Sequence, residues 1–372
     1  MAKSIEFRKD IKQGRQYDPR QQFALSTIES EVRYDPLTGN SGRLCHFVFS
    51  TIPPADLDGL IAPTAAQCPF CPDKVVSVTP RFPEDLIPEG RLQRGAATLF
   101  PNLFPYDDIS AVAALSAEHF HPMGDMPVQI IEDGLVLARD FFRRLEADSI
   151  TTVPTYGIVT WNYMPPSGAS QVHPHLQVIY TTTPGNGMRR ELAAETVYRQ
   201  QYGRTYLEDL LATEEAEGER WIGTSGAVQW LVPFVPTGLL GDCVAVFPGR
   251  STLAAVTDSD ISDFARGLRQ VLSYFASRGL WSFNMTFFPD RAGADAKTHW
   301  LNARLVPRFY LNPQLHVSDV AYLQLLMDER MSMVYPEQNG NRFAQRGLLA
   351  EVNEVNGYDG QGCQGFCGFL SA

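Results

Sequence analysis

The segment His173-Pro174-His175-Leu176-Gln177 places two imidazoles and an amide at alternate positions. On a β-strand, residues i, i+2 and i+4 share one face. His173, His175 and Gln177 therefore project together, while Leu176 and Val178 point to the opposite side, toward a core. A neutral imidazole nitrogen is able to attack phosphorus, and neighbouring groups fix its tautomer and hydrogen-bond the phosphate oxygens. A bare His-x-His equally suits a polar, solvent-facing strand, so its context decides. The second cluster is Cys68-Pro69-Phe70-Cys71. Cys-x-x-Cys spacing suits two thiolates on one tetrahedral zinc. His119 and His173 are the best candidates for the remaining two ligands, with His121 and His46 in reserve. A redox pair would sit at a helix N-terminus after a strand in a βαβ unit. The surrounding AAQCPFCPDK reads as a loop, which favours metal.

The elements that must carry these residues follow from periodicity. Residues 155–163 (TYGIVTWNY) are β-branched and aromatic and predict a strand; residues 171–183 predict a second, with the loop PPSGAS between them. Helical spacing runs over 128–146 and 188–212. The clearest helix is 258–278, where Ile261, Phe264, Leu268, Leu272 and Phe275 make one stripe and Gly279 supplies a stop. Strands are predicted at 228–236, 243–248, 282–288 and 299–311. The proline-rich stretch 61–110 predicts loops and short edge strands, and RYDPLTG (Arg33–Gly39) predicts a turn. The order strands–helix–strands occurs twice and predicts an α+β fold of two halves, each with a mainly antiparallel sheet and flanking helices. No motif is repeated between the halves.

Composition narrows the function. The chain has 372 residues and a formal net charge of −11, from 31 basic and 42 acidic residues. That is not the footprint of a nucleic-acid binder, so a phosphate-bearing substrate must be met by a few local groups. No apolar run approaches the roughly 18 residues needed to span a bilayer. The first residues, MAKSIEFRKDIKQGRQ, contain no apolar signal core, and a cytoplasmic setting is the expectation. Six scattered cysteines do not make a disulfide framework. Cys363 and Cys367 lie in a glycine-rich tail expected to be poorly ordered.

Five segments together resemble the galactose-1-phosphate uridylyltransferase family of the histidine-triad superfamily. They are RYDPLTG, CPFCP, FPNLFPY (Phe100–Tyr106), SAEHF around His119, and the block from Asn162 through Gly168 and Ser170 to HPHLQ. The resemblance is close over most of the first half and faint beyond about residue 200. It implies two fused histidine-triad-like halves: a catalytic half with the zinc site at 1–186, a degenerate half at 187–345, and a tail at 346–372. It implies that His175 becomes a nucleotidyl-imidazole and that Gln177 hydrogen-bonds the α-phosphate. Asn162, Gly168 and Ser170 would contact the nucleotide, and Asn102 would line the base and ribose pocket. Cys68, Cys71, His119 and His173 would hold a structural zinc. The implied reaction is ping-pong exchange of a nucleoside monophosphate between a UDP-hexose and a sugar 1-phosphate, with only small-molecule substrates and a homodimeric assembly. A phosphorylase acting on an ADP-sugar or dinucleoside polyphosphate uses the same histidine, and a silent nucleotide-binding zinc protein is the remaining class.

The chain departs from the family at three places. Some members carry a second metal on a glutamate and a His-x-His of the second half. Here Glu191 has suitable spacing, but Asn302 and Arg304 stand at the other positions, so that metal is not expected; Arg304 or Arg308 is instead a candidate charge near a substrate phosphate. Of two arginines that follow the opening turn in the family, only Arg43 is nearby. Leu176 replaces the small residue inside the triad.

Overall fold

The computed structural model describes residues 5–45, 52, 55–148, 155–345 and 349. His46 and the glycine-rich tail with Cys363 and Cys367 lie outside the described residues.

The first half begins with a long hairpin, β1 (Lys9–Asp18) and β2 (Ala24–Tyr34), followed by β3 (Ser41–Leu44) and two short helices, α1 (Leu57–Ala65) and α2 (Pro72–Val78). Strands β4 (Leu92–Arg94), β5 (Ala97–Pro101) and β6 (Ile109–Ala114) lead into helix α3 (Val128–Asp148), and β7 (Tyr156–Tyr163) and β8 (His175–Thr181) close the half. Helices α4 (Asn186–Tyr202) and α5 (Tyr206–Glu217) form the connection. The plan then recurs: β9 (Trp221–Ser225), β10 (Val228–Leu231), β11 (Cys243–Val246), α6 (Asp258–Ser277), β12 (Ser282–Phe288) and β13 (Asn302–Arg308). The C-terminal part adds β14 (Tyr310–Asn312), β15 (Val317–Ser318), α7 (Tyr322–Leu326), β16 (Arg330–Ser332) and α8 (Pro336–Gln345).

The two sets of five strands join edge to edge. One ten-stranded sheet has the order β4-β5-β6-β8-β7-β12-β13-β11-β10-β9, the same on reading inward from either end. The seam is the antiparallel pair β7–β12, where Thr160 faces Thr286 and Asn162 faces Asn284. Backbone bonds repeat across this two-fold relation. Leu115 N–H donates to the Pro174 carbonyl in the first half, and Phe247 N–H to the Leu301 carbonyl in the second, both at 2.9 Å. With Val112 opposite Gln177 and Val244 opposite Arg304, Asn302 occupies the place of His175 and Arg304 that of Gln177.

Alternation along the central strands explains why one face is a core. Val159, Trp161, Leu176, Val178, Phe283, Met285, Phe287, Ala303 and Leu305 are buried in one cluster with the apolar stripes of α3 and α6. Helix α6 is held at its start by a capping box, with Thr257 bonded to Asp260 N–H and Asp260 to Thr257 N–H. Glycine lets both helices approach closely. A Cβ on Gly134 of α3 would meet Leu115 at 2.2 Å, and one on Gly267 of α6 would meet the Trp230 indole at 2.7 Å.

Among the described residues, the other face carries apolar cover at its two flanks. Over β5 and β6, Val75 of α2 and the half-buried Phe70 pack on Phe100, Val112 and Ala114. Over β10 and β11, α4 and α5 bring Tyr198, Tyr206, Leu207 and Leu211 onto Leu231, Val244 and Val246. The middle strands β8, β7, β12 and β13 lie between these covers. A separate sheet, β1-β2-β3-β16, ties the first hairpin to the C-terminal part. Glu337 of α8 pairs with buried Arg33 at 2.8 Å and buried Arg220 at 3.1 Å, fastening the hairpin and α8 to the second half.

The structure amends three expectations. The span 188–212 is two helices, because the chain turns at Gly203, whose φ is +73°. The proline-rich stretch does supply an edge strand, β4, but β5 and β6 are interior strands, and in place of the expected loop around CPFCPDK the chain enters helix α2 with Cys71 as its N-cap. The strand expected at 171–183 narrows to His175–Thr181. The turn at RYDPLTG forms as expected, with Asp35 Oδ1 accepting from Thr38 N–H and Oγ–H at 2.9 Å.

Candidate active site and metal centre

Cys68, Cys71, His119 and His173 converge so that one donor atom from each lies within 4.8 Å of the others. The Cys68 and Cys71 thiols both lie near His173 Nδ1, at 3.6 and 3.8 Å, and the Cys71 thiol is 3.6 Å from His119 Nδ1. Tetrahedral zinc, with bonds of about 2.3 Å to sulfur and 2.0–2.1 Å to nitrogen, sets S···N edges of about 3.5 Å. The second ring nitrogens are already used. His173 Nε2 donates to the Ser116 carbonyl at 2.9 Å. Thr64 donates its own hydroxyl proton to Ile61 O, so at 2.9 Å it accepts from His119 Nε2. Both Nδ1 lone pairs are thereby turned toward the thiols, the orientation a metal requires. Phe70 N–H donates to Cys68 sulfur at 3.4 Å, and Cys71 is the N-cap of α2. The donor set fits a closed Cys2His2 zinc site.

Burial of His173 pushes its pKa down to about 4. Burial and the adjacent Cys68 raise the Cys71 thiol to about 11. Of the reserve ligands, His121 lies outside the cluster, its Nε2 3.4 Å from Glu118.

His175 opens β8 on the same side. Its Nδ1–H donates to the carbonyl of His173 at 2.8 Å, which leaves Nε2 with its lone pair. The ring is buried against Phe70, 5.3 Å between centroids, and burial lowers its pKa. Two residues on, the Gln177 carbonyl oxygen accepts the Tyr106 hydroxyl at 2.7 Å, so the amide N–H2 is free to point elsewhere. Leu176 is buried in the helix-side core, as the strand alternation predicts.

Asn162 lies on the same face of β7, and its Oδ1 accepts from Asn284 Nδ2 at 2.7 Å. Gly168, with φ +86°, ends the 3-10 turn Pro165–Ser167, and Gly168 and Ser170 are exposed on the loop into the triad. Asn102 is half-buried after β5, where its Oδ1 accepts from Phe104 N–H at 3.0 Å. Thr64 and Asn284 are missed by motif reading, and Tyr106 lies inside FPNLFPY without a role assigned to it. Asn284 has a usable signal: Ser282, Asn284 and Thr286 alternate with Phe283, Met285 and Phe287, marking a second polar stripe.

The place of a second metal is filled by an arginine. Arg304 makes a two-pronged pair with Glu191, one contact at 2.8 Å, and Arg330 lies 3.8 Å from the same carboxylate. His299 spans the Glu195 carboxylate at 2.5 Å and the Phe288 carbonyl at 2.9 Å. These residues do not fit a metal. Arg308 is engaged by Asp319, and Arg43 lies 3.3 Å from Glu329. No helix among the described residues is long and apolar enough to cross a membrane.

A mixed sheet-and-helix half is used twice, and His175 of the first half lies beside the Cys2His2 cluster on the side of the sheet away from the helix-side core. No family model matches the chain. An uncharacterized protein of Archaeoglobus fulgidus is 30% identical over 312 residues, covering 83% of this chain and 89% of that one. A galactose-1-phosphate uridylyltransferase of Neurospora crassa is 26% identical over 186 residues, 48% of this chain and 47% of the relative. Among solved structures, an ADP-glucose phosphorylase of Arabidopsis thaliana with bound ADP-glucose superposes with a TM-score of 0.63 at 17% identity, covering 84% of this chain and 98% of that one. A uridylyltransferase superposes at 0.61 with 19% identity, covering 84% and 97%. The chain belongs to one family with the archaeal protein, and it shares its fold with the ADP-glucose phosphorylase and uridylyltransferase structures.

Proposed function

We propose that this protein is a nucleotidyltransferase that carries a nucleoside monophosphate on His175 between a nucleotide-sugar, such as a UDP-hexose, and a sugar 1-phosphate. The observation that carries this is the 2.8 Å bond from His175 Nδ1–H to the His173 carbonyl. It fixes the tautomer whose Nε2 is a nucleophile. In the first step the Nε2 lone pair attacks the α-phosphorus. The P–O bond to the sugar phosphate breaks, and its electron pair leaves on that oxygen. The P–N adduct is cationic with Nδ1–H still in place, and the His173 carbonyl stabilises that charge. In the second step an oxygen of a sugar 1-phosphate attacks the phosphorus and the P–N pair returns to Nε2. No water is consumed. Phosphoryl-type transfer needs positioning and charge neutralisation more than other covalent groups. Gln177 N–H2 supplies a donor to the α-phosphate, and Asn162, Gly168, Ser170 and Asn102 position the nucleotide. Cys68, Cys71, His119 and His173 would hold a zinc ion, whose binding would fix the α2 loop and the His173 backbone.

Tyr106 sets which end of the Gln177 amide faces the phosphate. Losing one neutral hydrogen bond of this kind is worth about 0.5–1.5 kcal/mol. Tyr106→Phe is expected to lower kcat about three- to tenfold with little change in KM. An unchanged kcat would mean that Gln177 is oriented without Tyr106.

The proposal is tested by intact-protein mass after incubation with UDP-, ADP- and GDP-sugars and with diadenosine tetraphosphate. The expected result is a shift of one nucleoside monophosphate from one donor, discharged on adding a sugar 1-phosphate. Discharge by inorganic phosphate alone would make the enzyme a phosphorylase. No adduct from any donor would leave a nucleotide-binding protein.

A further inference from the structure

Next to the triad, on the same face, the second half has a pocket of about 310 Å³. Its inner wall includes Asn284, Thr286 and Arg304. Cross-strand pairing makes Gln177, Thr160, Thr286 and Arg304 one row across β8, β7, β12 and β13. Neighbouring strands are about 4.8 Å apart, so the Thr286 wall begins about 10 Å from Gln177 along that row. Direct side-chain bonds join the two regions: Asn284 donates to Asn162 at 2.7 Å, and Thr160 Oγ1 lies 2.9 Å from Thr286 Oγ1.

The charges of the pocket balance. Arg190, Arg304 and Arg330 are matched by Glu191, Asp328 and Glu329. Arg304 is held by Glu191, and Arg190 lies 2.7 Å from Asp328. A site for a second phosphate would carry surplus positive charge; this one has none. It offers paired carboxylates and guanidiniums, the polar side chains of Thr237, Asn284, Thr286 and Gln324, and the apolar Phe288 and Val306, a surface with both donors and acceptors for hydroxyl groups. Glu329 is already engaged: its Oε2 accepts from Ser41 at 2.8 Å, and its buried Oε1 is paired with Arg43 Nε at 3.3 Å without an aligned hydrogen bond.

We propose that this pocket seats a neutral polyhydroxylated ring, the sugar of the nucleotide-sugar and of the sugar-phosphate acceptor, while their phosphates lie at His175. The seat rests on the nucleotidyl-histidine function proposed above and adds where sugar specificity resides: in the second half of the same chain. The place equivalent to the triad holds Asn302 and Arg304 where the first half has His175 and Gln177, and Arg304 is part of the wall of the sugar seat.

The test separates the sugar from the nucleotide. Covalent labelling is followed by intact mass from two kinds of donor: UDP-glucose, UDP-galactose, ADP-glucose and GDP-mannose, and the corresponding nucleoside 5′-phosphorimidazolides, which carry no sugar leaving group. Val306→Phe fills the pocket, and Arg190→Ala, on the half-exposed outer surface of α4, removes a hydrogen-bond donor without disturbing the core. Both variants should label from the phosphorimidazolide at the wild-type rate. Labelling from the nucleotide-sugar should slow about tenfold or more in Val306→Phe and several-fold in Arg190→Ala. Equal rates from both donors in a folded variant overturn the sugar seat and leave the His175 chemistry standing. So does wild-type labelling from a phosphorimidazolide but from no sugar nucleotide. If the wild type takes no label from any phosphorimidazolide or any nucleotide-sugar, the nucleotidyl-histidine function falls, and the seat falls with it.

Discussion

Replacing His175 with alanine is expected to abolish covalent labelling and to cut turnover by at least about 10⁴-fold, the scale of loss when a covalent nucleophile is removed. The argument is geometric. The ring makes one hydrogen bond, to its own segment's carbonyl, and presents the other nitrogen to the open face. It does not belong to the Cys2His2 cluster, and the core of the first half lies on the opposite side of β8. The substitution should therefore spare metal content and leave the fold intact at a cost of about 1–3 kcal/mol, from the vacated ring and the unpaired carbonyl. The measurement is single-turnover labelling beside metal analysis and thermal unfolding. Turnover within tenfold of wild type, in a folded and metal-loaded variant, would remove His175 from the nucleophile's place.

Much of this arrangement is legible in the sequence, for identifiable reasons. Period-two alternation in residues 155–163 and 282–288 states both that these are strands and which face is polar. Residues 258–278 declare a helix through a full apolar stripe, and the structure places it at Asp258–Ser277. The Cys-x-x-Cys and His-x-His motifs name three of the four clustered residues outright, and His119 follows from the resemblance of its surroundings. The two-fold sheet is not legible as a repeat. What the halves share is hydrogen-bond register and apolar positions, and many residue types satisfy those. What differs, Asn302 and Arg304 against His175 and Gln177, is what a motif search would need to see matched. The pairings that orient the site are also hidden. Thr64 of α1 reaches His119, and Tyr106 from a loop reaches Gln177, across 55 and 71 residues of sequence. These segments meet their partners only after the chain has folded.

Cys68→Ser is expected to lose the bound metal and to lower both stability and turnover, a signature distinct from that of His175→Ala. Serine does not ionise to a ligand near neutral pH, so three donors remain where a closed structural site uses four. A ligand that binds only the folded state stabilises it by about 4 kcal/mol at a thousandfold excess over Kd. For a chain longer than about 150 residues, each kcal/mol shifts Tm by roughly 2–4 °C, so a fall on the order of 10 °C is expected. Turnover should fall as well, because the cluster is wired to the nucleophile through the backbone. His173 offers its ring to the cluster and its carbonyl to His175 Nδ1–H. Releasing the ring frees the carbonyl that sets the His175 tautomer. The decisive comparison is metal content by mass spectrometry with Tm and kcat on the same preparation. A variant without metal that keeps wild-type Tm and kcat would show that the four residues meet without needing a metal. Loss of Tm with kcat intact would show that the cluster supports the fold but does not position His175.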